Sequence, residues 1–279
     1  MTNPVYPCLW FDTQAKEAAT FYCSIFQHSF LTDETPTVVH FELDGVQFMG
    51  LNGGPQFRFN PSISLFVTCG TDEEVLYYWE KLSAGGDVLM PLDQYDWSTK
   101  YGWCADKFGL TWQIYMANTN DDTQKVVPLF LFSSNQFGNA ESALNFYTSL
   151  FDHSEIKGIA RYGEDTPEYK GMVLHSSFRM AGREFMAMDG PGDHKFEFNE
   201  AVSLVVECDT QEEIDFFWEA FTKEGEESMC GWCKDRFGVS WQIIPGILKE
   251  LMSDTERGPR VMEAFLKMKK FDIGTLLKA

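Results

Sequence analysis

The chain has 279 residues, enough for two domains that each bury a core of their own. Its composition is globular, with 44% apolar and 15% aromatic residues, and it holds no run of about 18 apolar residues that would cross a membrane. A formal charge of −20 with no basic patch argues against a nucleic-acid partner, because such a surface repels phosphate; the surplus reads as solubility.

Seven cysteines, an odd set in a chain of this length, point to buried thiols in a reducing compartment rather than a disulfide framework. Met1-Thr2-Asn3-Pro4 opens without a basic segment followed by an apolar stretch, so no export signal and no membrane partner are expected, and a cytoplasmic location is.

In chain order, Tyr6–Phe11 is expected as a strand, and Asp12-Thr13 can cap a helix that continues through Ala18, Phe21, Tyr22 and Ile25. A strand within Ser29–Thr35 follows, then Val38–Leu43, a turn at Asp44-Gly45 and Val46–Leu51, which together read as a hairpin. The order then repeats. Ile63–Val67 is a strand, and Thr71-Asp72-Glu73-Glu74 is a capping box that opens a helix carrying Val75, Tyr78, Trp79 and Leu82. Gly85-Gly86 ends that helix, since glycine readily takes the left-handed conformation needed there. Strands around Val88-Leu89, Trp103-Cys104 and Thr111–Met116 complete the module, the last two joined by a turn at Phe108-Gly109.

Ala117–Lys125, rich in Asn, Thr and Asp, reads as a linker. Beyond it come a strand at Val127–Phe132, an Asn139-capped helix through Phe151, a hairpin at Ala181-Gly182, a strand at Val202–Val206 and a second capping box, Thr210-Gln211-Glu212-Glu213. The segment around Leu92–Lys100, with Tyr95 and Trp97, has no counterpart in this half, so the two halves are expected to form unequal pockets. After Pro245 a helical tail carries Ile247–Met252, Arg260–Lys270 and a final Phe271–Leu277.

The chain is therefore a duplication. Gly102-Trp103-Cys104-x-Asp106-x-Phe108-Gly109-x-x-Trp112-Gln113-Ile114 returns as Gly231-Trp232-Cys233-x-Asp235-x-Phe237-Gly238-x-x-Trp241-Gln242-Ile243. Phe21-Tyr22 returns as Phe146-Tyr147, and Phe57-x-Phe59-Asn60 as Phe196-x-Phe198-Asn199. The expected organisation is a first domain over 1–118, a linker over 119–126, a second domain over 127–245 and a tail over 246–279.

Paired strand–helix–three-strand modules resemble the vicinal-oxygen-chelate fold of glyoxalase I, bleomycin- and fosfomycin-resistance proteins and extradiol dioxygenases. Within that superfamily, Asn139-Ala140-Glu141-x-Ala143-x-x-Phe146-Tyr147, the repeated Trp-Gln-Ile motif and Met268–Ile273 resemble the PhnB-like proteins, known as the 3-demethylubiquinone-9 3-methyltransferase domain. The resemblance implies an α+β fold of four βαβββ modules in two cup-shaped mixed sheets, an intrachain pseudo-dimer with the possibility of a further homodimer, and a small-molecule ligand. It also implies that module one of one half completes its cup with module two of the other. No glycine-rich loop follows a first parallel strand, as a methyl-donor-binding α/β fold would need.

In metal-using relatives each cup carries ligands at four strand positions, typically His, Glu or Gln. Carried over by register, those positions are Cys8, Met49, Ser64 and Gln113 in the first half, and Leu129, Met186, Ser203 and Gln242 in the second. One neutral amide per site does not hold a divalent ion, so no metal or other cofactor is expected. The readings that remain are metal-independent binding or modest catalysis, a metal-dependent lyase, isomerase or dioxygenase, and a ligand-sequestering protein.

Alternation assigns the cup faces. The first-half cup is expected to hold Cys8, Trp10, His40, Glu42, Met49, Ser64, Phe66, Gln113 and Tyr115, and the second-half cup Leu129, His175, Ser177, Met186, Ser203 and Gln242. His40 recurs as His175 and is the acid–base candidate, the alternative being a histidine hydrogen-bonded across the sheet. Cys230-Gly231-Trp232-Cys233 has dithiol spacing, but on a strand its cysteines face opposite ways, and the first copy has Tyr101 in place of Cys230. Asp106 and Asp235 are expected to organise turns. Trp103, Trp232, Trp112 and Trp241 have rings that could stack on a ligand, but large aromatics in a repeated motif are more often core, and alternation puts Trp112 beneath the sheet.

Overall fold

The computed structural model describes residues 3–117 and 124–279, so most of the expected linker lies outside the described residues. The first half runs β1 (Val5–Phe11), α1 (Ala15–Ile25), β2 (Phe30–Glu34), β3 (Val38–Leu43) and β4 (Val46–Asn52), then β5 (Ile63–Cys69), α2 (Asp72–Ser83), β6 (Asp87–Tyr95), β7 (Ser98–Ala105) and β8 (Thr111–Met116). The second half repeats this as β9 (Val126–Phe132), α3 (Ala140–Leu150), β10 (Glu155–Arg161), β11 (Val173–Met180) and β12 (Arg183–Asp189), then β13 (Val202–Cys208), α4 (Gln211–Thr222), β14 (Glu226–Glu227), β15 (Trp232–Lys234) and β16 (Ser240–Pro245). Helices α5 (Leu248–Ser253), α6 (Gly258–Phe265) and α7 (Ile273–Lys278) form the tail.

The strands assemble across the halves. One eight-stranded sheet has the order β14-β15-β16-β13-β1-β4-β3-β2, and the other β10-β11-β12-β9-β5-β8-β7-β6. The joins are the antiparallel pairs β1–β13, with Cys8 opposite Ser203, and β5–β9, with Ser64 opposite Leu129. All four central strands are buried on nearly every residue, as strands covered on both faces must be. Each cup therefore takes module one of one half and module two of the other. The sheet holding β1–β4 and β13–β16 forms cup one, and the other forms cup two.

The chain crosses between sheets through the loops that carry the repeated Phe-x-Phe-Asn motif. Asn60 Nδ2 donates to the Glu197 carbonyl and Asn199 Nδ2 to the Arg58 carbonyl, each at 2.9 Å, so the two crossings clasp each other. Phe59 meets Phe11 edge-on at 5.2 Å, and Phe198 meets Phe132 at 5.1 Å.

Helix starts differ in part from the sequence expectation. Thr71 and Thr210 cap α2 and α4 by accepting from the amides of Glu74 and Glu213, as the capping boxes imply. Neither Asp12-Thr13 nor Asn139 caps its helix through a side chain. Instead Asn52 Oδ1, at the end of β4, accepts from the Ala15 amide, and Asp189 Oδ1, at the end of β12, accepts from Gly138 and Ala140. These caps come from distant positions in the chain. The hairpin turns agree: Asp44-Gly45 and Ala181-Gly182 both have positive φ at two successive residues, the geometry that suits right-twisted strands.

The segment around Leu92–Lys100 is a continuation of the β6–β7 hairpin, pairing as far as Tyr95 opposite Ser98. In the second half the tail takes this place at the sheet edge. Cys230 and Gly231 donate their amides to the carbonyls of Met268 and Lys269 at 2.7 and 2.8 Å. A Cβ on Gly231 would lie 2.5 Å from the buried Phe271 ring, so only glycine admits the tail.

Two buried carboxylates bind the modules of each half together. Asp106 organises its turn by accepting from the amides of Phe108 and Leu110, and it also accepts from Tyr22 Oη on α1 and Trp112 Nε1. Asp235 does the same with Phe237, Val239, Tyr147 and Trp241. Trp112 and Trp241 are fully buried, as expected. Burial pushes both carboxyls up despite four donated hydrogen bonds each, and takes Asp235 to about 6.

Because the folded-state value of Asp235 lies above the unfolded one, its contribution to stability is greatest below about pH 4 and fades as pH rises through about 6. Asp235→Asn turns an amide N–H toward donors, which costs on the order of 3 kcal/mol. Urea unfolding of both proteins between pH 4 and 7 checks this: the stability gap between them is expected to narrow as pH rises.

Candidate ligand cups

Register places the cup residues side by side. In cup one, Ser240, Ser203, Cys8, Met49 and His40 follow one another across β16, β13, β1, β4 and β3. In cup two, Leu129 lies between Ser64 and Met186, and Phe66 lies beside Gln113, which faces Trp103. The expected first-half cup is therefore divided. Cys8, Trp10, His40, Glu42 and Met49 belong to cup one with Ser203 and Gln242. Ser64, Phe66, Gln113 and Tyr115 belong to cup two with Leu129, His175, Ser177 and Met186. The regrouping follows from the cross-half pairing.

Both floors are buried, and both are built on a Ser–Gln pair. Gln113 Nε2 donates to Ser64 Oγ at 2.7 Å, and Gln242 Nε2 donates to Ser203 Oγ at 3.0 Å. In cup two Tyr101 Oη donates to Gln113 Oε1 at 2.8 Å, which occupies both ends of the amide. Tyr95 stacks on Trp97 and meets Tyr101 edge-on at 5.7 Å, so the tip of the extended hairpin backs this arrangement. Phe66, Tyr101, Val127, Leu129 and Leu131 form its apolar floor.

Cup one lacks the tyrosine. Cys230 stands in its place, with a left-handed backbone and its Sγ directed to the Phe265 carbonyl at 3.8 Å. The thiol of Cys8 adjoins Gln242 and Ser203, and burial pushes it up to about 12, so it keeps its proton. Tyr6 Oη donates to Glu207 at the end of the same floor; burial first and the Glu207 charge second hold this phenol far above its ordinary range. Trp10 Nε1 donates to the Gly54 carbonyl at 2.7 Å, and its ring meets Trp232 edge-on at 5.8 Å.

His40 and His175 are half-buried and have no hydrogen bond among the described residues, so the cross-sheet bonding considered for them is not seen. His40 lies 6.4 Å from the Tyr6 ring and His175 6.2 Å from Phe66. Burial pulls both imidazoles below the ordinary histidine range, with the Lys249 charge adding to the effect at His40. Each is neutral at pH 7 and able to accept a proton or a hydrogen bond. Glu42 shares the face of His40 on β3 and is also half-buried.

Trp103 and Trp232 depart from the expected core placement, because they lie opposite Gln113 and Gln242 and share their cup faces. Counting back from either glutamine through the Asp-x-Phe-Gly turn reaches them, and Tyr101 opposite Tyr115 follows from the same count. The cysteine pair behaves as expected: Cys233 is buried in the core, Cys230 turns to the tail, and all seven thiols are free. Two open recesses of the surface lie away from the cup floors, one between the crossing loops at Arg58 and Asp193–Glu197 and another along the tail at Arg260–Lys267, while a smaller one reaches Leu131 of the cup-two floor beside Ser133 and Phe237.

The positions that the resemblance assigns to metal ligands fall, once regrouped by the cross-half sheets, at Cys8, Met49, Ser203 and Gln242 in cup one, and at Leu129, Met186, Ser64 and Gln113 in cup two. The first set offers a protonated thiol, a thioether, a hydroxyl and an amide; the second includes a leucine with no donor atom. Neither fits a divalent ion that prefers carboxylate and imidazole ligands. Among the described residues no group of three or more His, Cys, Asp or Glu side chains is arranged to hold a metal ion.

Two eight-stranded mixed sheets built from four βαβββ modules define the glyoxalase-like class of fold. Maize (Zea mays) glyoxalase I matches over 89% of this chain and 95% of its own, with 10% identity and a TM-score of 0.56, a likeness of fold. The chain belongs to the family described as 3-demethylubiquinone-9 3-methyltransferase, whose model matches residues 3–115 and 124–244. A PhnB protein from Bacillus cereus is 36% identical over 40% of this chain and 98% of its own, with a TM-score of 0.38. A protein from Staphylococcus aureus is 28% identical over 40% of this chain and 94% of its own, with a TM-score of 0.19. A search among curated sequences finds no match. The strand-to-helix turns within the four modules are not glycine-rich.

Removing the phenol of Tyr101 leaves Gln113 Oε1 buried without its donor. Tyr101→Phe is expected to cost about 1–3 kcal/mol in denaturant unfolding. A neutral result would mean that the amide finds another donor and that the tyrosine is not what closes cup two.

Proposed function

We propose that this protein binds a small molecule in its cups without a metal ion and supports at most modest acid–base catalysis there, with His40 and His175 as the groups that exchange the proton. The observation that carries this reading is the pair of neutral, half-buried imidazoles, each with no hydrogen bond among the described residues, over a floor of apolar side chains and a Ser–Gln pair. The two imidazoles share the cup faces of their strands and make no hydrogen bond to protein among the described residues. The floor residues Cys8, Met49, Ser203 and Gln242, with Trp10 and Glu42 beside them, contact the ligand in cup one. Ser64, Phe66, Gln113, Tyr115 and Met186 do so in cup two. A mixed apolar and polar concavity of this kind suits a small organic molecule.

Thermal shift of EDTA-treated protein tests the reading. Mn, Fe, Ni and Zn ions are expected to leave Tm unchanged, while a metabolite that fits a cup raises it. Stoichiometric metal in the purified protein, with loss of Tm on chelation, would overturn metal independence. Binding that depends on a neutral imidazole is expected to hold from pH 8 to below about pH 6.5, the usual histidine value, and to fall only in more acid solution. Titrating affinity against pH for wild type and His40→Phe checks this.

A further inference from the structure

We infer that the two cups have divided their tasks: cup one takes a ligand with a hydrogen-bond-donating head group, a primary amide or amine on an apolar body, while cup two is closed by its own side chains. The inference rests on the ligand-binding reading above and narrows it to one cup and one chemistry, the side chains assigned there to a ligand in cup two closing on one another instead. It starts from hydrogen-bond accounting. In cup two the Gln113 amide is satisfied at both ends by Tyr101 and Ser64, and Thr111 Oγ1 finds the Ile63 carbonyl, so the buried polar atom left without a partner on that face among the described residues is a donor, Trp103 Nε1, and not an acceptor. In cup one the corresponding groups are left short. Ser240, the counterpart of Thr111, is fully buried and its Oγ has no partner. Gln242 Oε1 accepts no hydrogen bond among the described residues, where Gln113 has a phenol.

A buried hydroxyl without a partner costs about 1–3 kcal/mol, a cost that an apolar residue at position 240 would avoid. Ser240 and Gln242 are two residues apart on β16 and share the cup face with Ser203. Together they present an amide oxygen and hydroxyl oxygens, and His40 shares their sheet face on β3. Charges of both signs reach His40, Lys249 most strongly, with Asp33, which holds it at 3.0 Å, and Glu207 opposing it. An amide oxygen without a donor of its own selects one. The apolar body lies against Trp10, Trp232 and Met49. Entry displaces His40 and Trp232, which are half-buried and whose side chains make no hydrogen bond among the described residues.

Benzamide is the probe, with benzoate, of the same size but without a donor, as control. On the full chain, benzamide is expected to move the NMR side-chain amide signals of Gln242 and leave those of Gln113 in place; benzoate is expected to move neither. Ser240→Ala is expected to keep or raise Tm, since it removes an unsatisfied hydroxyl, and yet to weaken benzamide about tenfold. Thr111→Val, the same change in cup two, is expected to leave affinity unchanged. Benzamide acting on Gln113 alone would overturn the division of tasks while leaving ligand binding intact. So would equal binding of benzoate, or a Ser240→Ala protein of unchanged affinity. No response from either glutamine would overturn the inference, and the metabolite screen would still decide the broader reading.

Discussion

The antiparallel pairing of Val5–Leu9 with Val202–Val206, and of Ile63–Val67 with Val126–Phe130, is the constraint on which the rest of the molecule depends. These are the central joins of the two sheets, and each unites strands from opposite halves. Neither half can finish a cup alone, because its two modules lie in different sheets. The buried Tyr22–Asp106–Trp112 and Tyr147–Asp235–Trp241 groups then tie the two modules of one half to each other across the core. Sheets join the halves and carboxylates join the modules, so the duplicated chain closes as one interlocked body with the crossing loops clasped by Asn60 and Asn199.

Much of this was legible in the sequence because duplication prints the same signal twice. Strand alternation gave the correct cup face for His40, Met49, Ser64 and Gln113, and the Thr71 and Thr210 boxes marked two helix starts. What was hidden was long-range. Asn52 and Asp189 cap α1 and α3 from the far ends of other strands, so inspection of the residues just before each helix pointed to Asp12-Thr13 and Asn139 instead. The grouping of cup residues was hidden for a related reason. Alternation says which way a side chain points, while the partner strand is decided by how the modules dock. Trp103 and Trp232 were placed in the core on their size, although pairing with Gln113 and Gln242 turns them to the cups.

The differences between the halves carry more functional information than the likenesses. Repeated Asp-x-Phe-Gly and Trp-Gln-Ile segments do structural work in both copies. Where the copies diverge, the chemistry diverges: Tyr101 against Cys230, Leu129 against Cys8, Thr111 against Ser240, Val127 against Tyr6. Cup two gains a phenol that completes its amide, and an extended hairpin behind it. Cup one gains a thiol, an unpaired hydroxyl and a Tyr6–Glu207 pair, and its edge is finished by the C-terminal tail rather than by a hairpin.

The account stands or falls on the cross-half sheets. Nuclear Overhauser contacts between backbone protons of β1 and those of its neighbours measure this directly in solution. The expected result is a ladder from Val5–Leu9 to Val202–Val206 on one side and from Cys8–Phe11 to Met49–Asn52 on the other. A ladder from Val5–Leu9 to Ile63–Val67 would mean that each half closes on itself, and would contradict the fold, the cup groupings and the division of tasks together.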